Sequence, residues 1–75
     1  MIKFTTTINR IDDLRKFCAI ANHCKGSVDI KKDKYLVDGR SLMGLMSIDM
    51  SAGATIVLSE DEDYEKFKDF SKEAD

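Results

Sequence analysis

Ile2, Phe4, Thr6 and Ile8 alternate with Lys3, Thr5 and Thr7, the two-residue period of a strand with one buried face. From Ile11 the apolar positions become Ile11, Leu14, Phe17, Cys18, Ala21 and Cys24. That is a helical period, with Asp12 and Asp13 in the first turn where carboxylates favour the helix dipole and Gly26 as the expected stop. Val28 and Ile30 restart the alternation, Lys32 to Lys34 supply a turn, and Tyr35 and Val37 carry a strand back, so the pair reads as a hairpin. A short second helix is expected from Ser41, with Leu42, Leu45 and Met46 along one side. After Gly53 the run Ala54, Thr55, Ile56, Val57, Leu58 suits a central strand covered by helices. Ser59 and Glu62 stand at capping-box spacing before Tyr64, Phe67 and Phe70, which predicts a last helix laying an aromatic stripe on the sheet. Glu62 and Lys66 would support its outer face as an i,i+4 pair, and the tail after Phe70 is expected to fray. The order strand, helix, strand, strand, helix, strand, helix is an α+β arrangement with helices on one face of a small sheet.

Composition narrows the function classes. Seventy-five residues are read as one domain, 1–75, whose folding buries only about 60% of the surface its unfolded chain exposes. With a net charge of −2, the chain lacks the basic excess of a nucleic-acid binder, and Lys31, Lys32 and Lys34 form only a local cluster. No apolar run approaches the roughly 20 residues needed to cross a bilayer, and the N-terminus lacks a signal-peptide layout, so a cytoplasmic location without membrane attachment is expected. Cys18 and Cys24 fall in the same expected helix, about 9 Å apart along its axis and roughly 120° apart around it, which excludes a disulfide. His23 beside Cys24 does not complete a metal site, because adjacent helical residues point in different directions. No metal or other cofactor is expected.

The run Val37, Asp38, Gly39, Arg40, Ser41, Leu42, Met43, Gly44, Leu45, Met46, Ser47, Ile48 resembles the regulatory-serine segment of HPr, the small phosphocarrier family of the bacterial sugar phosphotransferase system. The resemblance continues through Asp49 to Leu58 and into the acidic segment Ser59 to Asp63. It implies an HPr-like βαββαβα fold, with a four-stranded antiparallel sheet and three helices on one face; the antiparallel pairing comes from the resemblance and not from periodicity. Counting back from Ser41, the position of the family's phosphorylated histidine is filled by Arg10. The family follows that histidine with alanine, arginine and proline, so that the phosphoryl group meets backbone N–H groups at a helix start and a guanidinium. Here Ile11, Asp12 and Asp13 follow instead. Arginine stays protonated and is no acceptor, and the two carboxylates would repel an incoming phosphate. The corner also reads as an ordinary helix start with an acidic first turn.

Ser41 is a good N-cap, which suffices to explain it. The resemblance adds a second reading. In the Gram-positive members this serine is phosphorylated by a dedicated ATP-dependent kinase, and here Arg40 is a candidate counter-charge. Leu42, Met43, Leu45, Met46 and Ile48 cannot all fit beneath so short a helix, so part of them is expected at the surface, Met43 first, where the family docks its partners. Arg40, Leu42, Met43 and Met46 are accordingly the candidate partner-binding residues. Gly44 suits either close approach of a partner or tight packing on the sheet. The expected function is that of a bacterial HPr-like regulator or adaptor lacking the carrier histidine, resembling the catabolite-repression homologues. Its expected partners are phosphotransferase-system or catabolite-regulation proteins and a serine kinase. A carrier that uses His23, or an interaction module with no phosphorylation, are the alternatives. No nucleophile and base pair marks an independent enzyme.

Overall fold

The structure, a computed structural model, describes residues 1–70; the tail expected to fray after Phe70 lies outside them. Four strands, β1 (Ile2–Thr6), β2 (Val28–Lys32), β3 (Tyr35–Asp38) and β4 (Ala54–Leu58), form one antiparallel sheet in the order β1-β4-β2-β3. The helices are α1 (Ile11–Asn22), α2 (Leu42–Met46) and two 3-10 segments, Met50–Ala52 and Asp61–Phe67. This is the α+β architecture expected.

Strand register explains which face is covered. Phe4 pairs with Ile56 and Ile56 with Ile30, and Ile30 pairs with Val37, so one apolar row runs across all four strands beneath the helices. The intervening positions Lys3, Val57, Asp29 and Asp38 form a row on the open face. Phe17 and Ala21 from α1, Leu45 from α2 and Phe67 close the core. The ring centroids of Phe17 and Phe67 lie 4.9 Å apart, and Phe67 also meets Phe4 at 5.8 Å. These separations are within the range where aromatic pairs attract beyond their burial alone.

Several expectations are corrected in detail. Strand β1 stops at Thr6, but Ile8 remains buried and its N–H donates to the Met50 carbonyl at 3.0 Å. The helix expected to reach Gly26 ends at Asn22 with His23 as its C-cap, so Cys24 lies beyond the helix. Both cysteines are free thiols, and burial, together with the Asp63 carboxylate, pushes the Cys24 thiol up. The hairpin turns through Asp33 at φ 55°, a left-handed conformation that aspartate tolerates better than most residues. Met50–Ala52 has no counterpart in the sequence reading. Asp49 caps it by accepting from the Ser51 N–H, and Gly53 leaves it at φ 95°, where a side chain would be strained.

The last helix is of the 3-10 type, not α. Three residues per turn is the period of Tyr64, Phe67 and Phe70, and the Phe70 N–H donates to the Phe67 carbonyl at 2.8 Å, continuing the i,i+3 pattern. The expected capping box is absent: Ser59 Oγ instead accepts from the Ser27 N–H at 2.8 Å. The expected Glu62 and Lys66 pair is also replaced. Glu62 joins the exposed Lys25 ammonium at 2.8 Å, and Lys66 joins Asp63 at 3.2 Å. Asp63 is fully buried. Its carboxylate accepts from the N–H groups of Lys25 (3.0 Å) and Gly26 (2.9 Å), binding the α1–β2 loop to the last helix.

Candidate functional site

Ser41 is the N-cap of α2: its backbone is extended, at φ −102°, and its Oγ accepts from the Gly44 N–H at 3.1 Å. The side chain is exposed at the surface. Helix α2 spans five residues, little more than one turn, so its dipole is small and the Gly44 bond is the main feature that orients the hydroxyl. The turn before it is tightly held. Asp38 accepts the Arg40 N–H at its Oδ1 and the Ser41 N–H at its carbonyl, and the Gly39 N–H donates to the Val28 carbonyl at 2.7 Å.

Arg40 is not the free counter-charge expected. Its guanidinium donates to the carbonyls of Cys24 and Gly26 beyond the C-terminus of α1, and its own carbonyl accepts from the Asn22 amide and the Cys18 thiol. The reason is local: α1 ends without a basic residue in its last turn, and Arg40 supplies the missing positive charge to the carbonyls that follow. Arg40 is therefore half-buried and committed to protein partners.

The side chains near Ser41 separate by depth. Leu45 is fully buried and Leu42 half-buried, while Met43 is 82% and Met46 55% exposed. Gly44 faces the sheet: a Cβ there would lie 3.4 Å from Val37 Cβ, which favours the packing explanation for this glycine. Met46 borders a shallow depression of about 320 Å³ together with Ile11, Leu14 and Ile48. Ile11, the first member of the helical apolar period, is exposed. It occupies the first helical residue, and periodicity alone carries no signal of exposure there. The apolar surface thus joins α2 to the start of α1.

That start of α1 is the Arg10 corner. Arg10 is the N-cap residue, with no capping bond from its side chain, and its carbonyl accepts from the N–H groups of Asp13 and Leu14. Arg10 and Asp12 are exposed beside Ile11. Sequence reasoning placed Arg10 and Ser41 in separate segments, and the exposed Ile11 and Met46 bridge the elements that carry them. His23 lies at the opposite end of α1, where its Nδ1 sits 2.8 Å from the Ala19 carbonyl; a carbonyl only accepts, so this contact assigns the proton to Nδ1. A cleft of about 610 Å³ lies between α1, the β1–α1 link and Phe70, and shares no residue with the Ser41 segment.

Among the described residues, no group of three or more His, Cys, Asp or Glu side chains could hold a metal ion. None of the described helices is long and apolar enough to cross a membrane. Compared with curated proteins, the chain has no significant match. A family model described as the PTS HPr component phosphorylation site does match, over residues 14–69. The matched span runs from α1 through the Ser41 segment to the last helix and leaves the Arg10 corner outside it. It covers about three quarters of the chain, and on that match the chain belongs to the HPr family of the phosphotransferase system.

Proposed function

We propose that this HPr family member acts by recognition in the bacterial cytoplasm, without carrying a phosphoryl group on histidine, and that a serine kinase controls it through Ser41. The observation that carries the reading is the exposed Ser41 hydroxyl beside an apolar surface formed by Met43, Met46 and Ile11, with Arg10 at the position where the resemblance places the histidine. In the reaction, the Ser41 oxygen takes the γ-phosphoryl group of ATP, ADP leaves, and the hydroxyl proton passes to a base on the kinase. The added charge of about −1.5 to −2 borders the docking surface and alters which partners fit it. Those partners are phosphotransferase-system or catabolite-regulation proteins. Leu42, Met43 and Met46 supply apolar contact, and the flexible methionines adapt to more than one partner. Arg40 contributes by holding the turn that presents Ser41.

Intact mass of the purified protein after incubation in host lysate with ATP and phosphoenolpyruvate tests this reading, with an acid step that removes phosphohistidine and spares phosphoserine. A single acid-stable phosphate that disappears in Ser41→Ala is expected. An acid-labile phosphate lost in His23→Ala would replace the proposal with a displaced carrier site. No added mass at all would leave an interaction module without phosphorylation.

A further inference from the structure

The loop between α1 and β2 is gripped from two sides. The buried Asp63 carboxylate accepts from the amides of Lys25 and Gly26, while the Arg40 guanidinium donates to the carbonyls of Cys24 and Gly26. Arg40 is also the residue immediately before Ser41, so the guanidinium and a group attached to the Ser41 oxygen are carried by neighbouring residues. We propose that Arg40 is a latch: phosphorylation of Ser41 draws its guanidinium from the Cys24 and Gly26 carbonyls onto the phosphate and loosens the α1–β2 loop. The inference deepens the Ser41 reading and rests on it.

The exchange follows from the relative strength of the acceptors. A phosphate presents three oxygens and nearly two negative charges, so both partners of its bond to the guanidinium are ionised, whereas at a backbone carbonyl only the guanidinium is charged. The carbonyls of Cys24 and Gly26 are neutral and only partly buried, so water replaces the guanidinium there at small cost. Asp63 retains its half of the grip. The loop consequently loosens without unfolding, and a mark at Ser41 is read at the far end of α1.

The test uses the full chain with phosphoserine installed at position 41 by genetic encoding, which requires no kinase. Amide hydrogen exchange of residues 24–27 and the Arg40 Nε–H resonance are compared with those of the unmodified chain. Phosphoserine is expected to speed exchange in the loop about tenfold, as loss of a charged hydrogen bond does locally, and to shift the Arg40 resonance. In Arg40→Gln the loop is expected to exchange fast already, with less than about a twofold further change on phosphorylation. Unchanged loop exchange and an unmoved Arg40 resonance overturn the latch. A loop that loosens equally on phosphorylation in the Arg40→Gln background overturns it too. The resonance is read on the native sequence, so the result stands even where the variant folds poorly. Failure of cells to phosphorylate Ser41 would appear separately, in the mass measurement, and would leave this experiment interpretable.

Discussion

Replacing Phe67 by alanine removes the side chain on which α1, β1 and the last helix converge. Phe67 is fully buried and meets the rings of Phe17 at 4.9 Å and Phe4 at 5.8 Å. Removing about 150 Å² of buried apolar surface at roughly 25 cal/mol per Å² gives about 4 kcal/mol, in line with the 3–5 kcal/mol typical of phenylalanine-to-alanine changes in cores. At roughly 0.05–0.15 kcal/mol per residue, the total stability of so short a chain is about 4–11 kcal/mol. The substitution therefore consumes a large part of it. Urea and thermal unfolding followed by circular dichroism are expected to show a midpoint lower by at least about 12 °C, given 4–8 °C per kcal/mol for a domain of this size. A loss below about 1 kcal/mol would refute the reasoning, because it would require the last helix to leave the sheet without penalty. Met43→Ala, at a side chain 82% exposed, serves as the control and should change stability by less than about 0.5 kcal/mol.

Burial pushes the Asp63 carboxyl up, but the Lys25 and Gly26 amides and Lys66 outweigh it and hold the group below its ordinary value. A lowered folded pKa gives stability that is fully present above the unfolded pKa, about 3.9, and is lost as pH falls through the folded value. The stability difference between the native chain and Asp63→Asn, measured by thermal melts from pH 2 to pH 6, should be flat above about pH 4.5 and shrink below about pH 4. A pH-independent difference would count against the clamp. Ser41→Ala should cost about 1 kcal/mol through loss of the cap to Gly44, and an unchanged melting temperature would argue against that bond. Thr6 is 1% exposed, and its Oγ1 has no hydrogen-bond partner among the described residues. Thr6→Val should therefore stabilise the chain by about 1 kcal/mol in urea titrations; destabilisation would show that the hydroxyl is satisfied after all.

The strands were legible in the chain because alternation needs only nearest neighbours: Phe4 and Thr6 in β1, Val28 and Ile30 in β2, and Ala54, Ile56 and Leu58 in β4 are all buried on one face. Ser41 as a cap was legible for the same reason, since its partner, Gly44, is three residues away. The 3-10 character of the last segment was present in the three-residue spacing of Tyr64, Phe67 and Phe70, but that spacing also fits an α-helix. Tertiary structure alone decided the roles of the charged and end positions. Asp63 is buried because amides 37 and 38 residues away come to meet it, and Arg40 is engaged because the Cys24 and Gly26 carbonyls of the α1–β2 loop come to lie beside it. Ile11, though it keeps the helical apolar period, is exposed at the first residue of α1. Local periodicity sets which residues can be apolar and in what conformation. Whether a charge is solvated, clamped or free depends on distant backbone groups, and these meet it only once the chain has closed.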